Sequence, residues 1–139
     1  MTSLRTLHAI TGRCACGTVT YDCEVEQEVV LCSCDLCRRS SGSAFQGWVN
    51  GRRASLVVQA ATAHWASTAH AVRHFCASCG SPLFLFERDE PDVVEIAAGT
   101  IDEPDGIECA RDSQAYAASR PSWGSGRADR DLPHAHGAK

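Results

Sequence analysis

Nine cysteines in a chain of 139 residues are the side chains here whose type and spacing can do chemistry. Seven fall into three tight clusters: Cys14-Ala-Cys16-Gly17, Cys32-Ser-Cys34-Asp-Leu-Cys37 and Cys76-Ala-Ser-Cys79-Gly80. Cys23 and Cys109 stand alone. Disulfide cross-linking and metal coordination compete to explain such a pattern. An odd count leaves one thiol over. Cysteines two apart in extended chain sit roughly 6.5–7 Å between Cα atoms, at or beyond disulfide reach. The leading stretch, MTSLRTLHAI, lacks the apolar core of an export signal. A reducing cytosol is therefore the expected setting, and short-spaced cysteines there bind zinc or do redox chemistry.

The clusters differ in kind. The first and third place glycine directly after the second cysteine, at Gly17 and Gly80. Glycine lets the chain turn tightly so that backbone N–H groups approach the sulfur. Two such knuckles supply four thiolates, from Cys14, Cys16, Cys76 and Cys79, the ligand set of a closed structural zinc. The middle cluster offers Cys32, Cys34 and Cys37 with no glycine behind them. Three protein ligands with a fourth position open describe a catalytic zinc. A fourth protein ligand would close it, with Asp35, Cys109, His64, His70 and His74 as candidates. Spacing alone leaves both arrangements standing. Two zinc ions per chain are expected, one structural and one catalytic.

The elements that position these clusters read as short strands. Val19, Tyr21, Cys23 and Val25 alternate with polar residues, which predicts a half-buried strand over Thr18–Val25 and puts Cys23 in the core. Further extended runs are predicted at Thr6–Thr11, Glu28–Leu31, Ala44–Val49, Leu56–Gln59, His64–Ser67, Ala71–Phe75, Ser81–Phe86, Asp92–Ala97 and Ala115–Ala118. Asp35–Ser41 reads as one helical turn stopped by Gly42. The stretch Ala60–Ala66 could be helical by propensity alone. Many short strands with regularly spaced turns predict an all-β domain over residues 1–126. The Gly- and charge-rich tail, 127–139, carries His134 and His136 and reads as solvated.

Composition bounds the partners. Hydrophobic residues make up 44% and charged residues 22%, with a net charge of −4. This composition builds a modest core and excludes a disordered chain. No apolar run is long enough to span a membrane, and the acidic, interspersed charge argues against nucleic-acid binding.

Three motifs in series resemble the glutathione-dependent formaldehyde-activating enzyme family, which includes centromere protein V. They are Cys14-x-Cys16-Gly17, Cys32-x-Cys34-x-x-Cys37 and Arg73-x-Phe75-Cys76-x-x-Cys79-Gly80-Ser81. Ser119-Arg-Pro-Ser-Trp123 and Asp131-Leu-Pro133 are similar to its closing motif. Gln114 departs from it, standing where the resemblance leads one to expect histidine. The resemblance implies several small antiparallel sheets around the zincs, like the Rab-accessory zinc proteins. It also implies that the outer clusters hold a structural zinc and the middle one a catalytic zinc.

The implied activity is that of a carbon–sulfur lyase. Glutathione thiolate adds to formaldehyde to give S-hydroxymethylglutathione, and the reverse cleaves that bond. Cys32, Cys34 and Cys37 would then be the catalytic residues. Arg38 and Arg39, next to the third ligand, are the candidates to hold the carboxylates of glutathione. Arg73 and His74 border the third cluster, where charge compensation of the structural zinc is the plain reading. Phe45 and Trp48 read as core. A zinc-stapled glutathione carrier or protein-binding module without turnover is the alternative, and a thiol redox protein the third.

Overall fold

The computed structural model of the chain describes residues 6–109 and 114–125. The tail at 127–139, with Asp131–Pro133, His134 and His136, lies outside the described residues.

The alternation around Tyr21 builds the central strand. β1 (His8–Arg13) and β2 (Thr20–Cys32) form an antiparallel hairpin registered from His8↔Val25 to Arg13↔Thr20. The first cysteine knuckle is its tip. Tyr21, Cys23 and Val25 point into the core, as alternation requires. β2 runs for 13 residues, long enough to serve several partners. It then pairs with β3 (Gln46–Arg52), with a register shift between Val25 and Val29. β4 (Val57–Gln59) also pairs with it.

The remaining strands are β5 (Thr62–Ala66), β6 (Ala71–Cys76), β7 (Pro82–Glu87), β8 (Val93–Ala97) and β9 (Gln114–Ala115). They extend the sheet in the order β1-β2-β3-β8-β7-β6-β5, while β9 runs parallel to the end of β2. The domain is all-β, with one helix among the described residues, α1 (Asp35–Ser41), and short 3-10 turns. Where several small sheets were expected, the strands join edge to edge into one nine-stranded sheet. The length of β2 is the reason, since β1, β3, β4 and β9 all hydrogen-bond to it. Residues 62–66 are strand and not helix, because β6 offers them a full ladder from Thr62↔Cys76 to Ala66↔Val72. Tertiary pairing overrides a weak helical propensity.

The two faces of the sheet bury different things. One carries the main apolar core, including Tyr21, Val49, Phe84, Val94 and Ile96. The other holds a smaller cluster of Cys37, Trp48, Leu85 and Ala97, with Cys32 and Cys34 packed against it. Residues opposite each other across a ladder share a face, so Arg73, Leu85, Glu95 and Asn50 form a row on this second side. Of that row, Arg73 and Leu85 border the middle cluster. Among the described residues, no helix is long and apolar enough to cross a membrane.

Glu95 in this row is costly to keep ionised. Burial, with the charge of Glu87 adding to it, pushes its carboxyl from 4.5 up to about 7. The folded chain thus holds a proton that the unfolded chain releases near pH 4.5, and stability falls as pH rises from there to about 7. Glu95→Gln is expected to stabilise the fold. The gain in urea melts should be larger near pH 8 than near pH 6, by up to about 1 kcal/mol. An equal gain at both pH values would place the effect in packing.

Candidate metal centres

The knuckle sequences fold as their glycines demand. Gly17 and Gly80 both sit at φ 79, in the left-handed region that glycine enters freely. Their N–H groups donate to the carbonyls of Cys14 and Cys76 at 3.1 and 2.8 Å. The tightened turns aim backbone donors at sulfur: Val19 N–H at Cys14 Sγ, 3.3 Å, and Cys79 N–H at Cys76 Sγ, 3.5 Å. The four sulfurs of Cys14, Cys16, Cys76 and Cys79 all lie within 4.8 Å of one another. Cys14–Cys16 and Cys16–Cys76 are 3.6 and 3.8 Å apart. Ligands at 2.3 Å on tetrahedral zinc stand about 3.8 Å from each other, so the donor set fits that ion. No described cysteine forms a disulfide.

Ser81 ties the two knuckles together. Its hydroxyl oxygen accepts from Ala15 N–H at 2.9 Å and stands 3.2 Å from Cys79 Sγ. That contact is the main reason the Cys79 thiol falls to about 5. A thiol so acidic is ready to bind metal at neutral pH.

The middle cluster is built on the end of β2 and the start of α1. Cys34 caps the helix, and its Sγ accepts from Cys37 N–H at 3.3 Å. Gly42, at φ 67, ends the helix by donating to Arg38 O. The sulfurs of Cys32, Cys34 and Cys37 converge within 4.8 Å. Burial pushes the Cys32 thiol up to about 12. Burial opposes ionisation of Cys34 too, but the Cys37 N–H and the neighbouring thiols outweigh it and hold that thiol below its usual value. Three thiols this close cannot all ionise without a cation among them.

Among the described residues, no fourth Cys, His, Asp or Glu atom joins the three sulfurs. Asp35 is turned to Arg38 and Arg39, at 3.1 Å each. Cys109 is exposed, and no metal-binding group includes it. His64 and His74 stack on each other at 5.1 Å, and His74 Nδ1 meets Thr62 Oγ1 at 2.8 Å. With His70, they line a groove beside Arg53 and Phe86, on the main-core side of β5 and β6. The structure thus brings together the seven cysteines of the clusters and leaves the other candidate ligands outside.

Arg73 corrects the sequence reading. Its place before the third cluster pointed to the structural knuckle, yet its guanidinium Nη2 donates to Cys37 Sγ at 3.6 Å. The pleat is the reason: neighbours alternate faces along β6, so Arg73 points to the middle cluster while His74 faces the main core side. Trp48 donates its indole N–H to the same sulfur at 3.4 Å, and Arg73 lies 5.8 Å from the Trp48 ring. Arg73 is 8% exposed, and no described carboxylate forms an ion pair with it. A buried guanidinium needs an anion. Among the described residues, Cys37 is the only one whose sulfur or oxygen it is hydrogen-bonded to, which fits a middle cluster of metal-bound thiolates.

Sequence reasoning missed Ser33 and Arg120. Ser33 is fully buried between two candidate ligands, and its N–H donates to Ala115 O at 2.9 Å. Arg120 Nε donates to Ser33 Oγ at 3.1 Å, with its guanidinium 4.9 Å from the Phe45 ring. Arg38 Nε donates to Ser33 O at 3.2 Å. The closing segment is thereby fastened to the backbone of the middle cluster.

The family described as glutathione-dependent formaldehyde-activating enzyme matches residues 9–119. No curated relative matches the chain. The crystal structure of a Rhodobacter sphaeroides protein superimposes with a TM-score of 0.58 at 23% sequence identity, covering 67% of this chain and 88% of that one. At that identity the likeness concerns the fold.

Proposed function

The chain belongs to the glutathione-dependent formaldehyde-activating enzyme family, and from that membership we propose that it forms and cleaves the carbon–sulfur bond between glutathione and formaldehyde. The proposal assigns one structural zinc to Cys14, Cys16, Cys76 and Cys79 and one catalytic zinc to Cys32, Cys34 and Cys37. The observation that carries it is the convergence of three sulfurs with no fourth described protein ligand. A zinc ion held there supplies the charge that keeps a fourth, incoming thiol deprotonated.

The chain's own residues do the rest. Cys32, Cys34 and Cys37 fix the place at which the thiol arrives. Arg38 and Arg39 lie one and two residues past Cys37 and are the proposed holders of the glutathione carboxylates. Their present partner, Asp35, is an exposed one, and such pairs are worth about 0–1 kcal/mol, so a substrate carboxylate can exchange with it. The glutathione sulfur donates its electron pair to the carbonyl carbon, a carbon–sulfur bond forms, and the carbonyl oxygen takes a proton. Holding both reactants together supplies most of the acceleration. A reducing cytosol, where the cysteines stay as thiols and glutathione is abundant, is the proposed setting.

Calorimetric titration of the zinc-loaded protein tests this. Glutathione is expected to bind with release of a proton, so affinity should weaken about tenfold per pH unit as pH falls below the thiol's pKa of about 8.5. S-methylglutathione should fail to bind, since a thioether cannot become a thiolate. Arg38→Ala with Arg39→Ala should weaken binding about tenfold, as loss of a charge-assisted contact does. Equal binding of both compounds would remove the thiolate chemistry. Glutathione binding without formation of the adduct from formaldehyde, followed by NMR, would favour a carrier without turnover.

A further inference from the structure

A centre that brings a thiolate to a carbon electrophile faces a selectivity problem. Three of its four sulfurs would belong to the protein, and each could be alkylated in place of the incoming thiol. The sulfur richest in electrons and open to approach reacts first. Cys37 is neither. It is 3% exposed. Two side-chain donors converge on its Sγ, the Trp48 indole at 3.4 Å and the Arg73 guanidinium at 3.6 Å. N–H donors draw density from sulfur, and a charged donor does so about twice as strongly.

We propose that Arg73 and Trp48 protect Cys37 from alkylation and so direct carbon electrophiles onto the incoming thiol. This rests on the middle cluster being the reactive metal centre. Arg73 is then a positioning residue, acting through the sulfur it touches. Its orientation fits that role. Its guanidinium is hydrogen-bonded to the sulfur and lies near the indole, Glu95 acts on it through charge without forming an ion pair, and Arg73 Nε is left without any described acceptor. An arginine kept for an ordinary structural ion pair would carry its carboxylate with it. Cys34 has a milder form of the same device, its N–H donors being the uncharged backbones of Cys37, at 3.3 Å, and Leu36. A thiol arriving from solution brings no such donors.

The test is alkylation of the zinc-loaded protein with iodoacetamide, mapped by mass spectrometry. Sulfur attacks the methylene carbon, a carbon–sulfur bond forms, the carbon–iodine bond breaks and iodide leaves. Labelling of Cys37 is expected to rise about fivefold in Arg73→Gln and in Trp48→Phe, the factor one hydrogen bond is worth. Cys79, in the other centre, serves as the internal standard. Arg73→Lys should restore most of the protection, because it keeps the charge. In the cobalt-loaded protein, the sulfur-to-metal charge-transfer band should move to lower energy in Arg73→Gln, which a purely structural arginine would not cause. Unchanged Cys37 labelling in both folded variants would overturn the proposal. Should Arg73→Gln fail to fold, Trp48→Phe decides alone. Failure of the underlying reading has a separate signature: in the parent protein, Cys32, Cys34 and Cys37 would label equally with and without metal.

Discussion

Cys76→Ser is expected to yield a chain that does not fold. Cys76 is buried at the end of β6, and its sulfur stands 3.8 Å from that of Cys16. The two knuckles cap different hairpins of the sheet, β1–β2 and β6–β7, which no ladder joins directly. In the proposed structural centre they are held together by metal, beside the hydrogen bonds from Ala15 N–H to Ser81 Oγ and from Cys16 N–H to Cys79 Sγ. Binding of structural zinc contributes about 10–16 kcal/mol in small peptides. A domain of this size has only about 5–15 kcal/mol of net stability. Losing one of four thiolates therefore removes a quantity comparable to the whole. Circular dichroism, thermal melting and elemental analysis of the purified variant are the measurements. A cooperative melt within a few degrees of the parent would show that the outer cluster is not a structural centre.

Much of this site was legible in the sequence because it is local. The knuckles announce themselves by Cys-x-Cys-Gly and Cys-x-x-Cys-Gly, since the turn, the donors and the ligands all lie within five residues. Cys23 was separable from the ligands for the same reason: alternation with Tyr21 and Val25 places it in the core, and there it is, 3% exposed. The helix ending at Gly42 follows from one left-handed residue.

What the sequence hid is set by strand order. β8 returns to lie beside β3, and β7 and β6 follow outward from it. Only this order brings Arg73, from the third motif, onto Cys37 of the second. The contact of Arg120 with Ser33, 87 positions apart, is of the same kind. Both are side chains whose partners depend on long-range register, about which spacing says nothing. The buried arginine carried a signal nonetheless. An alternating strand that puts His74 on one face must put Arg73 on the other, away from the side to which it was assigned.

Cys34→Ser is expected to give the opposite result to Cys76→Ser: a folded protein with its second chemistry gone. The helix should survive, because serine is itself among the best N-cap residues and can accept from the same Cys37 N–H. The sheet beneath does not depend on Cys34, since Trp48, Leu85 and Ala97 pack on their own ladders. Only two cysteine ligands then remain in the middle cluster. A hydroxyl is a poor ligand for zinc beside thiolate and stays protonated at neutral pH. Elemental analysis should show half the metal of the parent. The glutathione titration should fall to background. The melting temperature should drop by several degrees, on the order of 1–3 kcal/mol for a partly buried side chain that has lost its partners. Arg73 adds a second readout. With its anion weakened, the buried guanidinium loses compensation, so Cys34→Ser with Arg73→Leu should be more stable than the sum of the two single changes. A melt as broken as that of Cys76→Ser would make the middle cluster structural as well, and the proposed reaction would have no place to occur.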